Sequence, residues 1–549
     1  MMTLTRRITL TLLVAGCGGE ETGTSGGGGG NVGFGGAQDL GQFRAILEAG
    51  GIPGESTLDA NGFFAEHYSE SPPADCGQPL CVEARMAIGR SWVRGDDGAV
   101  IQVSLTTPVD PATVERRPLN LVVVLDTSGS MAEDDRIGYV RSGLHRLIDE
   151  LEDGDRLALV TYSDGVTEWS GLDQPLSRAA LHEVADQLVA AGSTNLHGGL
   201  ERGFQIANGS FDLERQNRVL LMSDGIPTAG ITDDGSIIAM AERSVSDGVG
   251  LTTIGVGLDF NVELMRGLAE RGAGSFYFLE SPQAIAEVFS EELDYAVQPL
   301  ALEVGVELTA DPRWQIGEVV GTRYWEGVPS RGGVVMPAVF VASRTSDQPG
   351  EYGRRGAGGA LFISVLPASG SPWEVGGRVA DIELSYRLPG SSEILTQRVA
   401  VASEASSASD DPWLSAESMR EHYAMYSMYL GLREATRQAA WNYDCAAAAL
   451  DRLDRRAATW NQEGSDEDIE ADRSLIARFR ANLAELGAEP AAGDYAARCP
   501  TQPPPDGTYA DDTEYHPTYC SAAPGGSGSW LFALGLLVGF AQLGRRRRA

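Results

Sequence analysis

The stretch Leu119-Asn120-Leu121-Val122-Val123-Val124-Leu125-Asp126-Thr127-Ser128-Gly129-Ser130-Met131 decides how the rest of the chain is read. Its first seven residues, apolar except for Asn120, form a leucine and β-branched block without alternation. That is the pattern of a strand covered on both faces, as in a parallel sheet. The block stops at a carboxylate followed by two hydroxyls at alternate positions, Asp126, Ser128 and Ser130, with Gly129 to let the loop curl. Such a loop at the carboxyl end of a strand turns hard oxygen ligands toward one point. Hard oxygens suit Mg²⁺, Mn²⁺ or Ca²⁺ far better than zinc.

Downstream, strand and helix patterns alternate. Arg136 to Leu151 places Ile137, Val140, Leu144, Leu147, Ile148 and Leu151 at helical spacing. Strands are expected at Arg156 to Tyr162, Val219 to Met222, Leu251 to Val256 and Ser275 to Phe278. Helices are expected around Leu181 to Val189, Leu196 to Ala207, Ile237 to Val245, Val262 to Ala269 and Ile285 to Leu293. This order predicts an α/β fold with a doubly wound, mostly parallel sheet whose ligands sit at the carboxyl ends of the strands. Two more oxygen-bearing loops fall at such ends: Gly192-Ser193-Thr194-Asn195 and Ser223-Asp224-Gly225.

The ordered set of DxSxS, then Thr194, then Asp224 resembles the metal-ion-dependent adhesion site of von Willebrand factor type A domains, over about residues 115 to 295. That resemblance implies a metal site of Asp126, Ser128, Ser130, Thr194 and Asp224. Ser128 and Ser130 would ligate directly, Asp126 and Asp224 mostly through water, and Thr194 in either way. It also implies a divalent cation, Mg²⁺ before Mn²⁺ or Ca²⁺, with an open position for an Asp or Glu offered by a protein partner. The competing reading is that these Ser, Thr and Asp residues only cap helices. Glu133, Asp134 and Asp135 read as acids at a helix amino terminus, and His197 as a surface or packing residue.

The totals narrow the function classes. A chain of 549 residues is too long for one core. With 42 basic against 77 acidic residues the formal charge is −35, which disfavours nucleic acid. No lysine occurs, so P-loop and Schiff-base chemistry are excluded. The hydrolase-like Gly23-Thr24-Ser25-Gly26-Gly27 has no strand before it and no helix after it. Arg94-Gly95-Asp96 reads as a hairpin turn between strands in Met86 to Thr106. No nucleophile or base in context supports an enzyme, and the site residues include no catalytic group.

Arg6, Arg7 and the apolar run to Ala15, closed by Gly16-Cys17, resemble a lipoprotein signal peptide (1–17) with Cys17 as the lipidated residue; an ordinary signal peptide is the alternative. Residues 18–40 read as a Gly-rich tether. Residues 41–114 hold short helical pieces at Phe43 to Gly50 and around Phe63, Phe64 and Tyr68, followed by the two strands. The α/β domain spans 115–296. Short alternating strands over 297–402 predict a β-sandwich that the Met86 to Thr106 strands join, making the α/β domain an insertion. A helical domain is expected over 411–500, in which Tyr423, Tyr426 and Tyr429 are core contacts rather than a ligand ladder. A spacer (501–529) and an apolar tail with an Arg cluster (530–549) follow; with Cys520 this tail resembles myxobacterial sorting signals. An exported chain would pair Cys76 with Cys81 and Cys445 with Cys499, four reduced thiols being the alternative.

The domain order also resembles the YfbK-type bacterial von Willebrand A lipoproteins. The expectation is a cell-envelope binding or adhesion protein, lipid-anchored at the outer membrane or surface of a Gram-negative bacterium, held by its lipid or its tail. It would capture a protein carboxylate and have no small-molecule substrate. The rivals are a structural envelope component whose metal site is filled from within, for example by Ser465 to Asp472, and a metal-dependent hydrolase.

Overall fold

The computed structural model describes residues 30–34, 36–37, 40–67, 74–109, 117–224, 226–246, 248–257, 260–279, 299–342, 360–368, 377–405, 407–462, 466–490 and 493–502. Cys17, Tyr68, the helix expected at Ile285 to Leu293, Cys520, nearly all of the spacer and the 530–549 tail lie outside the described residues.

In chain order the first elements are strands β1 (Gly30–Phe34) and β2 (Gly36–Ala37), helices α1 (Gly41–Glu48) and α2 (Ala60–Ala65), and strands β3 (Cys81–Arg90) and β4 (Asp97–Thr107). The α/β part runs β5 (Leu119–Asp126), α3 (Arg136–Glu150), β6 (Arg156–Tyr162), β7 (Val166–Ser170), α4 (Arg178–Gln187), α5 (Leu196–Gly209), β8 (Gln216–Ser223), α6 (Asp234–Ser246), β9 (Gly250–Val256), α7 (Val262–Arg271) and β10 (Ser275–Leu279). Its seven strands are ordered β2-β10-β9-β8-β5-β6-β7. All described pairs are parallel except β6 with β7.

β5 is an interior strand of this sheet, between β8 and β6, with all eight residues buried. Its side chains alternate between two cores, as strand geometry requires. Leu119, Leu121, Val123 and Leu125 pack with α3 and α4, while Val122 and Val124 pack with α5, α6 and α7. Asn120 is tolerated in this buried row because its amide donates to Ser210 O at 3.0 Å and Asn217 Oδ1 at 3.1 Å. β7 gave no sequence signal because it is a mostly exposed edge strand without an apolar run.

The second sheet comprises β1, β3, β4, β11 (Pro299–Ala310), β12 (Trp314–Val320), β13 (Glu326–Val328), β14 (Arg331–Ala342), β15 (Leu361–Pro367), β16 (Gly377–Arg387), β17 (Ile394–Ser403) and β18 (Trp413–Leu414). β4 pairs with β3, β15 and β1, so strands from before and after the α/β part share one antiparallel sheet. The eleven strands form one continuous sheet that folds over to make both layers of a sandwich-like core. Val82, Met86, Ile88 and Ile101 on one side meet Val304, Val306, Ile382 and Leu384 on the other.

Strand pairing corrects the end of the tether expected over residues 18–40. The tether reading gives way at its end, where β1 joins the antiparallel sheet and β2 adds the outermost strand of the parallel one. Gly carries the same backbone donor and acceptor as other residues, so a sheet edge can pair it despite its poor strand propensity.

Helices α8 (Met419–Ala439), α9 (Tyr443–Trp460), α10 (Glu467–Glu485) and α11 (Tyr495–Arg498) cover the outside of β3, β4 and β15 together with α1 and α2. Tyr426 stacks on Phe362 and Tyr429 meets Phe64 edge-on, so the tyrosine row is a core contact. Cys76–Cys81 and Cys445–Cys499 are disulfides. Arg94 of the Arg-Gly-Asp turn is paired with Glu434. Among the described residues no helix is long and apolar enough to cross a membrane.

Candidate metal site

β5 and β8 end side by side, which brings Asp126 and Asp224 to one edge of the sheet although they are far apart in sequence. Asp126 is fully buried. Its Oδ1 accepts from the Ser128 amide at 2.8 Å, and its Oδ2 accepts from Ser223 Oγ at 2.7 Å and Tyr162 OH at 3.2 Å. From there the polar groups continue: Ser128 Oγ lies 3.1 Å from Ser130 Oγ, which donates to Asp224 Oδ1 at 2.9 Å. Arg136, at the first position of α3, donates to Asp224 Oδ2 at 3.0 Å.

Thr194 arrives on a separate loop that is stitched to the first. The Gly129 amide donates to Gly192 O at 2.9 Å and the Ala191 amide to Thr127 O at 2.8 Å. Gly192 has φ +88°, and a Cβ there would lie 2.7 Å from Asp164 Oδ2, so the turn admits only glycine. Asp164 in turn accepts from the Ser193 amide at 2.9 Å. Thr194 itself is buried; its amide donates to Thr228 Oγ1 at 2.9 Å, and its carbonyl accepts from the Thr228 amide at 3.0 Å.

Electrostatics follow from this burial. Loss of water pushes the Asp126 carboxyl up to about 6, against the bonds from Ser128 and Ser223 that favour its charged form. Asp224 is also raised by burial, opposed by Arg136 and Ser130. Burial, then the neighbouring Asp126 charge, raises the Tyr162 phenol, which keeps it a hydrogen-bond donor.

The donor set of two carboxylates and three hydroxyls fits a hard cation and not a zinc-type site. Among the described residues no group of three or more His, Cys, Asp and Glu forms a metal cluster. The capping reading fails for Ser128, whose side chain makes no cap bond to the turn it precedes. Asp135 is the N-cap residue of α3, at the helix amino terminus as expected, though it and Asp134 before it hold left-handed backbone, φ 58° and 48°, and its side chain makes no cap bond. Glu133 reaches Arg136 at 3.9 Å, and His197 lies half-buried in the first turn of α5.

Three of the acids between Asp466 and Asp472 have local partners. Asp466 caps α10, Glu470 meets Arg473, and Asp472 holds buried His67 at 2.9 Å.

Tyr162, Ser223, Arg136 and Thr228 were not singled out from sequence. Tyr162 and Ser223 are the last residues of their strands, which is the signal that could have flagged them. Arg136 carried no such signal, since a cation at a helix amino terminus opposes the dipole.

Residues 120–291 match the family model of the von Willebrand factor type A domain. The uncharacterized protein YfbK of Escherichia coli (strain K12) is 33% identical over 196 residues, covering 36% of this chain and 34% of that protein. Inter-alpha-trypsin inhibitor heavy chain H1 of Sus scrofa is 28% identical over 226 residues, 40% of this chain and 25% of that one. The chain therefore spans between a quarter and about a third of the length of these curated relatives. Among solved structures, a von Willebrand factor type A protein from Catenulispora acidiphila covers 78% of this chain and 98% of its own, at TM-score 0.48 and 18% identity.

Proposed function

Starting from a von Willebrand factor type A domain at residues 120–291, we propose that this chain is a cell-envelope binding protein that captures an acidic side chain of a protein partner through a divalent cation. The observation that carries the reading is the convergence of Asp126, Ser128, Ser130 and Asp224 at the ends of β5 and β8, with the Thr194 loop bonded beside them.

Ser128, Ser130 and Thr194 would hold the cation, Mg²⁺ before Mn²⁺ or Ca²⁺, with Asp126 and Asp224 standing behind them. A bound dication supplies an electrophilic coordination position for an oxygen from outside. Because Asp224 is already paired with Arg136, only Asp126 is left to offset the charge of a dication. The site then keeps positive charge toward a carboxylate. One such contact gives direction and specificity, and the surrounding surface must supply the remaining affinity.

Neither turnover nor a small-molecule substrate is part of this reading. Export through residues 1–17, lipidation at Cys17 and processing at Cys520 belong to the same proposal and place the site outside the cytoplasm. Asp126→Ala and Asp224→Ala are expected to leave the chain folded and abolish divalent-dependent capture of envelope proteins. Capture that survives chelator undiminished would overturn the proposal.

A further inference from the structure

The β3–β4 hairpin, β12, β15 and α8 surround a cavity of about 340 Å³. None of its lining residues belongs to the α/β part, so it is separate from the oxygen loops. Its size falls within the range of about 300–1,000 Å³ typical of small-molecule sites, at the lower end.

Four arginines and four acids line this cavity, so their charges cancel. Each arginine already has an acid. Arg433 and Glu318 form a two-armed pair with both contacts at 2.7 Å, and Arg90 Nε is 2.9 Å from Asp97 Oδ1. Arg94 pairs with Glu434, and Arg437 with Glu55 from outside the cavity. An anion would have to displace one of these acids, whereas a neutral ligand would not. A guanidinium has more N–H donors, and a carboxylate more lone pairs, than one such pair consumes. Unused donors and acceptors therefore lie side by side.

One buried polar group is left over. Tyr426 lines the cavity, is 8% exposed and stacks its ring on Phe362. Among the described residues its hydroxyl has no hydrogen-bond partner, whereas that of Tyr423, one turn earlier, donates to Arg90 O at 3.1 Å. Burial, then the nearby Glu318 charge, raises the Tyr426 phenol, which keeps it a donor. A buried donor of this kind calls for an acceptor from elsewhere. Val100, Leu366 and Leu430 supply apolar surface in the same cavity.

We propose that this cavity binds a neutral saccharide of one or two rings. Such a molecule combines what the lining asks for: C–H faces for the apolar and aromatic surface, adjacent hydroxyls for the Arg433–Glu318 pair, and an oxygen to accept from Tyr426. It brings no charge that would break an existing ion pair. The volume sets the limit of one or two rings.

The test is saturation-transfer NMR on the purified full chain with glucose, N-acetylglucosamine, maltose, cellobiose and trehalose, each with and without chelator. Binding of at least one at millimolar concentration is expected, and chelator should leave it unchanged, which separates it from the oxygen loops. Tyr426→Phe keeps the ring on Phe362 and should weaken binding about 3- to 10-fold. Gly98 is paired with Gly89, whose Cβ would meet Tyr423, so a side chain at either position points toward α8. A Cβ at Gly98 meets no atom within 4 Å. Gly98→Leu should therefore fill the cavity and abolish binding, with the thermal transition of each variant showing that it remains folded. A panel in which no sugar binds overturns the proposal. So does binding that is the same in wild type and Tyr426→Phe, or tighter binding of glucose 6-phosphate or glucosamine than of glucose.

Discussion

Glu270→Gln tests whether a buried charge destabilises the contact between the α/β part and the antiparallel sheet. Glu270 is on α7, beside a small cavity of about 30 Å³ that Asn61, Arg271 and Tyr324 also line. Its Oε2 is buried without a hydrogen-bond partner among the described residues. Burial, then the nearby Asp59 charge, pushes the carboxyl up from 4.5 to about 7, against the pull of Arg323, Arg266 and Arg271. A folded value above the unfolded one means that the native state holds this proton more tightly. Its contribution is therefore fully favourable below pH 4.5, is lost as pH rises toward 7, and stays lost above it. At about 1.4 kcal/mol per pH unit the loss is on the order of 3 kcal/mol. Part of the side chain reaches the surface, so about 2 kcal/mol is the value to test. Urea unfolding of wild type and Glu270→Gln should show the variant more stable by about 2 kcal/mol at pH 8 and unchanged near pH 4.5. The other raised carboxyls are common to both proteins and cancel in the difference. A gain no larger at pH 8 than at pH 4.5 would refute the assignment of the penalty to this charge.

Two further perturbations follow from packing and covalent constraint. A Cβ at Gly199 would lie 2.4 Å from Tyr162 Cδ1, so Gly199→Ala should cost about 1–3 kcal/mol. It should also weaken divalent binding by displacing the phenol that supports Asp126, whereas Gly209→Ala on the same helix meets no atom within 4 Å and serves as the control; calorimetric metal titration separates them. The Cys445–Cys499 disulfide closes a separation of 54 residues and Cys76–Cys81 one of 5. Loop entropy then makes removal of the first cost about 4 kcal/mol and of the second about 2, an order that denaturant unfolding of the two Cys-to-Ala pairs would reverse if strain or residual structure dominated.

The legible parts of the fold are those whose signal is local. β5 announces itself because both of its faces are buried, and α3 because its apolar residues recur at helical spacing. The oxygen loop is legible because Asp126, Ser128 and Ser130 are adjacent in sequence. β7 and β2 were illegible for the opposite reason. An exposed edge strand and two residues of Gly-rich chain carry no apolar pattern, and they become strands only when a neighbouring edge supplies hydrogen-bond partners.

By itself, then, the sequence determined the doubly wound order of elements and the type of ligand each loop offers, since periodicity and side-chain chemistry are properties of short segments. Tertiary structure alone decided what those ligands meet. It set Arg136 on Asp224, and Tyr162 and Ser223 on Asp126. It also folded strands from both sides of the α/β part into one sheet and placed Arg433 of α8 against Glu318 of β12. Each of these depends on which strand ends lie side by side and which helix faces cross, and long-range pairing of that kind leaves no trace in the spacing of residues along the chain.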